Sequence, residues 1–307
     1  MANLIGSNFP DLYDPRFDEI FDNEYLKAED GIEKYYRMRP GKLETERFTQ
    51  IGGLPEMTDF TGTVPYDTVS QGYDITATQL EFVQGIQVER RLVEFDQHDV
   101  IMNKPKTLAD SLNRLRQIHR VRPFVNAFSV DTKFYNNSEG VALCSNSHTT
   151  TSGASTASGF DNLVTTGMSA TAVASLRIQM IKHRNDQGQE ISIMPSVLYI
   201  PPDLYETAYE IVGSSGKPDV ATNAANVHYG QYEVWEDLWL STRGSTTDWF
   251  MLDPIMMKKW GLLWLDKQKG EFAMVEDFDT LTGKWRVYCI WTQAELDWRW
   301  ISGADVA

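Results

Sequence analysis

Positive charge is scarce in this chain of 307 residues. Lys and Arg number 28 against 43 Asp and Glu, which gives a net charge of −15. Affinity for nucleic acid comes mainly from Lys and Arg contacts to phosphates, so this balance opposes tight DNA binding. Two explanations fit the negative net charge equally well: plain solubility, or a container wall that does not adhere to a polyanionic cargo.

Cysteines and long apolar runs are also scarce. The chain has two cysteines, Cys144 and Cys289, so no disulfide framework is implied and two buried thiols are expected. No stretch approaches the ~18 apolar residues of a membrane span. The first residues are acidic, whereas a signal peptide begins basic and continues apolar. We therefore expect a soluble protein, made in the cytoplasm, with no membrane contact.

Recognisable catalytic chemistry is absent. The five histidines are dispersed, with none at metal-ligand spacing, and the sequence 213–217 (GSSGK) is too short for a phosphate loop and is followed by Pro218. One acidic group could ligate a metal if it lay in a turn, although a solvated or capping role is favoured: Glu94, Asp96, His98 and Asp99. We therefore predict no enzyme activity, no catalytic residue, no metal and no cofactor.

Tryptophan is missing from the first 234 residues, and all nine tryptophans lie at or after Trp235. Strand-like runs occupy this end of the chain, at 232–241, 248–253, 261–266 and 284–300. In the last run, alternate residues share one face: Trp285, Val287, Cys289 and Trp291. A helix-rich middle followed by a strand-rich end predicts an α+β architecture.

A long arm lies near the start of the chain. Residues 47–95 begin as a strand, pass through a tip rich in Gly and Pro between Gly52 and Gly72, and return as a strand around 77–93. A hairpin of this length is at best marginally stable alone. We therefore expect it to lie across a neighbouring subunit, which indicates an assembly protein.

Two helical segments flank this arm. In the acidic residues 1–46, helical spacing places Phe17, Ile20, Phe21 and Tyr25 on one face. This segment could dock on a partner subunit or pack on its own domain. A second helix is predicted from Thr107, as its cap, to about Phe128, with a kink or restart before Pro123. Its apolar face holds Leu108, Leu112, Leu115 and Ile118.

The second helix is the most basic region of the chain. Against a single acid, Asp110, it carries Lys104, Lys106, Arg114, Arg116, Arg120 and Arg122. These residues could face DNA or an acidic scaffold. We favour a solvated face whose four arginines pair mostly with the acidic N-terminal segment.

The middle of the chain alternates polar and apolar segments. Residues 145–159 are small and polar, so we expect them to be flexible or on the surface. A helix follows, then a buried strand Val197 to Ile200, then a helix opened by Asp203. The apolar side of the first of these helices holds Val173, Leu176, Met180 and Ile181.

Several strings carry a resemblance to a known family. They are GYDITATQLEFVQGIQVERRLVEFD, EGVALCSNSH, the helix 169–184, IMPSVLYIPPDLYETAYEI, NAANVHYGQYEVWEDLWL and DWFMLD. With the order of elements, they resemble the major capsid proteins of tailed bacteriophages, with the Hong-Kong-ninety-seven-type fold. More narrowly, they are similar to Mu-like major head subunits. The resemblance covers nearly the whole chain and depends on element order and short strings.

The resemblance implies a domain plan: an N-terminal arm (1–46), an extended loop (47–80), a peripheral domain with a long spine helix (81–134), an axial domain (135–277) and the peripheral C-terminal strands (278–307), including one strand from Lys284 to Ile301. It also implies inter-subunit contacts of the loop through Pro55, Phe60, Pro65 and Tyr66, and a basic inner face at Arg114, Arg116, Arg120 and Arg122.

The implied function is a shell protein that self-assembles into pentamers and hexamers around double-stranded DNA. The implied partners are further copies of the chain, a separate scaffolding protein, a portal and a decoration protein, with weak contact to DNA. No lysine lies between Lys42 and Lys104, so covalent crosslinking through the loop is not expected. Two alternatives stay open: an encapsulin-like compartment of the same fold, and a soluble enzyme with an unrecognised site.

Overall fold

A computed structural model of the chain describes residues 21–25, 31–54, 56–57, 59–60, 62–64, 66, 69, 71–89, 91, 104–134, 136–216, 225–277 and 279–306. The strands are β1 (Arg37–Pro40), β2 (Thr45–Ile51), β3 (Gln71–Thr78), β4 (Leu80–Glu89), β5 (Leu163–Val164), β6 (Val197–Ile200), β7 (Glu233–Glu236), β8 (Trp249–Leu252), β9 (Leu262–Asp277), β10 (Thr282–Glu295) and β11 (Ile301–Ala304). The helices are α1 (Ile32–Tyr35), α2 (Lys104–Val125), α3 (Ala170–Ile181), α4 (Tyr205–Gly213), α5 (Leu238–Arg243) and α6 (Pro254–Met256), with a three-ten turn at Pro202–Leu204 and a π-helical turn at Met257–Gly261.

The three longest strands, together with the short β1, form a four-stranded sheet in the order β1-β9-β10-β4. Strand β10 pairs antiparallel with both β9 and β4, and β1 adds to β9 in parallel. The alternating face predicted for β10 is confirmed, because Trp285, Val287, Cys289 and Trp291 are all buried. This face and helix α2 contribute to the same apolar core. The predicted α+β class is confirmed.

A second sheet has five strands in the order β5-β11-β8-β6-β7. The buried strand predicted at Val197 to Ile200 is confirmed residue for residue as β6. Helices α3 and α4 pack on this sheet through a separate apolar cluster. In α3, Val173, Leu176 and Met180 are buried as predicted, but Ile181 at the last position is exposed, since the helix ends there.

Helix α2 differs from its predicted limits at both ends. It begins at Lys104, three residues before the predicted cap, and ends at Val125. Thr107 is therefore not a cap; its hydroxyl donates back to the carbonyl of Lys104 at 2.8 Å. Pro123 lies inside the last turn, two residues before the end, and does not begin a new helix. The predicted apolar face is confirmed for Leu108 and Leu112, which are buried in the core.

Three further segments differ from their predicted structure. Part of the strand predicted at 232–241 is helix α5, because the carboxylate of Asp237 caps it by accepting from the backbone N–H of Trp239. Asp203 lies inside a three-ten turn, and helix α4 starts after it. The single strand predicted from Lys284 to Ile301 is divided: β10 ends at Glu295, and Ile301 opens β11 in the other sheet.

The small-polar segment 145–159 is not merely a surface linker. His148 is buried, its Nδ1 lies 3.1 Å from Glu139 Oε1, and its ring stacks on Trp298 with 4.1 Å between centroids. The hydroxyl of Thr150 donates to the carbonyl of Asp186 at 2.8 Å. The stacking of His148 on Trp298 and side-chain hydrogen bonds to the backbone thus order a segment that has almost no apolar residue.

Candidate inter-subunit surface

The arm is a two-stranded hairpin of β2 and β3, shorter than the predicted 47–95. The strands pair antiparallel from Thr45 opposite Thr78 to Ile51 opposite Gln71. The predicted returning strand around 77–93 divides after Thr78, because β4 leaves the hairpin and pairs with β10. The projecting element is therefore confined to residues 45–78.

The base of the hairpin is anchored on its own subunit. Ile75 and Ala77 are buried against Leu263, Leu265 and Ala294 of the four-stranded sheet. Sequence analysis missed this anchor, although the apolar and polar residues alternate from Tyr73 to Thr78 as in a half-buried strand. The hairpin therefore leaves the body from a fixed base.

A polar network stiffens the exposed face of the hairpin. Asp74 accepts hydrogen bonds from the hydroxyl of Thr49 at 2.7 Å and from the Arg47 guanidinium. The Thr49 hydroxyl, with Arg47, lowers the pKa of Asp74. Thr49 and Asp74 are cross-strand partners, and such pairs stabilise a two-stranded ribbon.

The tip of the hairpin exposes apolar side chains. Phe60 is 75% exposed and Tyr66 92% exposed, while Pro55 and Pro65 lie outside the described residues. The other exposed apolar side chains of this segment are Ile51, Leu54, Met57, Val64 and Val69. So many exposed apolar groups in one projecting segment are typical of a protein interaction surface.

A groove lies between the hairpin base and the body. Its volume is about 830 Å³, and its lining combines Phe48 and Ile75 of the hairpin with Met256 and Trp260 of the body. The backbone N–H of Gly53, which also lines this groove, donates to Asp186 Oδ1 of the body at 3.0 Å. The hairpin thus crosses its own body before its tip projects.

Most arginines predicted for a basic inner face hold carboxylates of their own subunit. Arg116 binds Asp266, and Arg120 binds Asp237. The remaining pair joins Arg122 to Asp131 at 2.6 and 2.7 Å. The acids in these pairs come from β9, from the cap of α5 and from the loop after α2. Among the described residues, these three arginines therefore pair with carboxylates of the subunit body, whereas the prediction gave most of them to the acidic N-terminal segment.

The remaining predicted basic residue, Arg114, is exposed on α2. The described part of the N-terminal segment does reach α2 elsewhere. Glu24 pairs with Lys106 at 3.7 Å, and the Tyr36 hydroxyl donates to the carbonyl of Arg120 at 2.8 Å. Phe21 is buried and stacks on Phe272 and Tyr25, whereas Phe17 and Ile20 lie outside the described residues.

The titratable residues described here do not form a catalytic constellation. Burial raises the pKa of Cys289 to about 12 and that of Cys144 well above its ordinary value, so both are inert thiols. Burial lowers the pKa of His183 to about 4. Among the described residues, no group of His, Cys, Asp and Glu could hold a metal, and no helix could cross a bilayer. The cluster at Glu94–Asp99 lies outside the described residues.

Known proteins match this chain at two levels. The model of a family described as phage capsid protein matches residues 72–301, three quarters of the 307 residues. A chain of the bacteriophage PhiM1 mature capsid superposes with a TM-score of 0.58 at 9% identity, covering 91% of this chain and 88% of that one. No curated protein matches the sequence.

Two further structures have the same fold. A capsid chain of Myoviridae phage XM1 gives a TM-score of 0.55 at 9% identity, with 90% of this chain and 91% of that one covered. A virus-like particle from Pyrococcus furiosus gives 0.50 at 9% identity, with 95% and 99% covered. At such identities these structures establish the fold alone. The family model extends over most of the chain, which therefore belongs to the phage capsid protein family.

Proposed function

We propose that this chain is the major head subunit of a tailed phage, and that its copies form pentamers and hexamers of an icosahedral shell around double-stranded DNA. The observation that carries the proposal is the hairpin 45–78. Its base is fixed on the subunit through Ile75 and Ala77, whereas Phe60 and Tyr66 near its tip are largely exposed. Such an arm gains its burial only from a second subunit.

The division into two sheets supports an assignment of capsid domains. We assign the four-stranded sheet and helix α2 to the peripheral domain, with α2 as the spine helix, and the five-stranded sheet to the axial domain. Under this assignment β9 joins the peripheral domain and β11 the axial domain, so the boundary at 277 shifts to about residue 261. The N-terminal arm, predicted as 1–46, then ends before β2, and the extended loop, predicted as 47–80, becomes the hairpin 45–78.

The charges favour weak contact with packaged DNA. The net charge is −15, and the guanidinium groups of Arg116, Arg120 and Arg122 are engaged by carboxylates. Arg114 is the exposed member of this set, and any DNA contact it makes will weaken steeply with salt. The narrower likeness to Mu-like head subunits, assembly in the host cytoplasm, and a separate scaffolding protein, portal and decoration protein belong to this proposal.

An encapsulin-like compartment is the second candidate, since the virus-like particle from Pyrococcus furiosus has the same fold. The two candidates differ in cargo. Particles from an infected or expressing host, treated with nuclease and imaged by negative stain, should be closed shells that contain protected double-stranded DNA. Shells containing protein cargo and no nucleic acid would favour the compartment. A monodisperse monomer with ligand-dependent melting would favour the third candidate, a soluble enzyme.

A further inference from the structure

Lys133 occupies an unusual position in the loop after helix α2. Its Nζ lies 3.1 Å from His119 Nε2, a hydrogen-bonding distance. His119 is buried, and its other ring nitrogen, Nδ1, lies 3.2 Å from Trp291 Nε1. Three side chains from α2, β10 and the loop thus form one chain of contacts that ends at an amine on an exposed residue.

The contact with Trp291 fixes the protonation of the imidazole. An indole N–H can only donate, so Nδ1 of His119 must accept and carries no proton. Burial is the main cause that lowers the pKa of His119 to about 3, so the ring is neutral at physiological pH. A neutral imidazole has one N–H, which must then be at Nε2. This N–H points at the Lys133 amine.

An N–H donor facing an ammonium leaves the imidazole N–H without an acceptor. An uncharged amine has a lone pair and completes the chain Trp291 to His119 to Lys133. The surroundings act in the same direction. Burial, then the positive charge of Arg122, lowers the pKa of Lys133, and Asp131 opposes them.

Aromatic rings face the same amine. Phe82 and Phe134 lie with their centroids 4.9 and 5.5 Å from Nζ. Ring faces favour an ammonium, so they compete with the hydrogen bond from His119. At an exposed site this attraction is weak, whereas a buried N–H without an acceptor is costly. The hydrogen bond therefore acts with burial and Arg122 to lower the pKa of Lys133.

We propose that Lys133 is a nucleophilic amine and a modification site for activated carboxylic acids, such as acyl phosphates and active esters. The Nζ lone pair attacks the acyl carbon, and a C–N bond forms as the C–O bond to the leaving group breaks. The amine loses one proton, and with an acyl phosphate the departing phosphate takes it up. The products are an N-acyl lysine and hydrogen phosphate.

Trace labelling of the purified full chain tests this assignment. A brief, limiting exposure to N-hydroxysuccinimidyl acetate between pH 6 and 9 would be followed by unfolding and complete labelling with the deuterated reagent. Peptide mass spectrometry then gives a relative rate for each lysine. Lys182 is an exposed reference. Lys34 is the matched control, because it is exposed and burial also lowers its pKa, but it lies 3.9 Å from the ring centroid of Trp235, in a cation–π contact.

At pH 7 we expect Lys133 to react severalfold faster than Lys182, since a lowered pKa leaves more of the Lys133 amine uncharged. Its rate should level off at a lower pH than that of Lys34. Acetyl phosphate, used in place of the active ester, should also acetylate Lys133 first. Lys133 rates equal to or below those of Lys34, or a Lys133 profile that levels off at the same pH, would overturn the proposal.

The variant Trp291→Phe tests the role of the histidine directly. Without the indole N–H, the imidazole proton can move to Nδ1, and Nε2 can accept from an ammonium. Labelling of Lys133 should then fall to the Lys34 rate while Lys182 is unchanged. An unchanged Lys133 rate in the folded variant would contradict the hydrogen-bond argument. If the variant does not fold, the wild-type pH profiles still decide.

Discussion

The guanidinium of Arg116 on α2 binds both carboxylate oxygens of Asp266 on β9, at 3.0 and 3.2 Å. Both side chains are almost completely buried, and the indole N–H of Trp264 donates to the same carboxylate at 2.8 Å. The guanidinium also lies 5.3 and 5.4 Å from the ring centroids of Trp264 and Trp291. One ion pair therefore joins helix α2 to the four-stranded sheet.

Removing one partner of this pair should destabilise the subunit strongly. Arg116→Ala leaves the buried Asp266 carboxylate without its cation, and such losses cost about 3–5 kcal/mol. Urea unfolding of the unassembled chain measures the change. On the exposed side of the same helix, Arg114→Ala serves as the control and should stay within about 0.5 kcal/mol of the wild type. Equal effects of the two substitutions would show that the pair has no structural role.

Glu295 at the end of β10 should make stability depend on pH. Burial, with the nearby charge of Asp131, raises its pKa from the ordinary 4.5 to about 8. Between these values the unfolded chain releases a proton that the folded chain retains. The contribution of Glu295 is therefore complete below pH 4.5 and is lost as the pH rises towards 8.

The variant Glu295→Gln removes this titration. The quantity to compare is the free energy of unfolding of the variant minus that of the wild type. We expect this difference to be more favourable to the variant at pH 8 than at pH 5, by on the order of 3 kcal/mol. Denaturant unfolding of both chains at both pH values measures this change. The exposed Glu89→Gln on β4 should show no such pH dependence. If the two chains differ in free energy of unfolding by the same amount at both pH values, the pKa of Glu295 is not raised by folding.

Local sequence patterns predicted the elements in which the buried residues follow directly from the order of apolar and polar residues. Strand Val197–Ile200 is a short apolar run that is followed directly by Pro201 and Pro202. The prolines end the strand, so its limit could be predicted from the sequence. The buried face of β10 followed from alternation alone. In both cases the packing agrees with the local sequence, and no distant partner is needed to determine it.

Elements fixed by distant contacts could not be predicted in this way. Residues 232–241 resemble a strand, but Asp237 caps residues 238–243 as a helix. Asp237 also binds Arg120, 117 positions earlier. The returning strand changes partner at Gln79, because β2 is short and β10 offers a longer edge. The partners of the α2 arginines lie in β9 and in loops, so charge patterning along the helix could not identify them.

The shell should be held by non-covalent contacts. No lysine lies between Lys42 and Lys104. The hairpin falls in this interval, so its tip offers no side-chain amine to a neighbour. Purified particles heated in denaturing detergent should give single chains of 35 kDa on a gel. Ladders of multimers that survive this treatment and contain isopeptide-linked peptides would contradict the prediction.

Shortening the hairpin should separate assembly from folding. Replacing residues 54–70 with a short Gly-Ser turn removes the exposed tip but leaves Ile75 and Ala77 in their buried positions. The two sheets do not depend on the tip, so circular dichroism and melting temperature should change little. Stable protein interfaces bury on the order of 1,600 Å² in total, and losing the tip removes part of each one. Negative-stain images should therefore contain capsomers or monomers in place of closed shells.

Point substitutions refine this test without changing the length of the arm. The pair Phe60→Ser and Tyr66→Ser removes two exposed rings and should reduce the yield of shells, while Thr63→Ser at the same tip removes one methyl group and should not. Because all three side chains are exposed, the subunit should stay folded in each variant. Unfolding of the shortened chain would place the tip in a subunit core. Normal shell yields from both the shortened chain and the double variant would show that the arm does not hold subunits together.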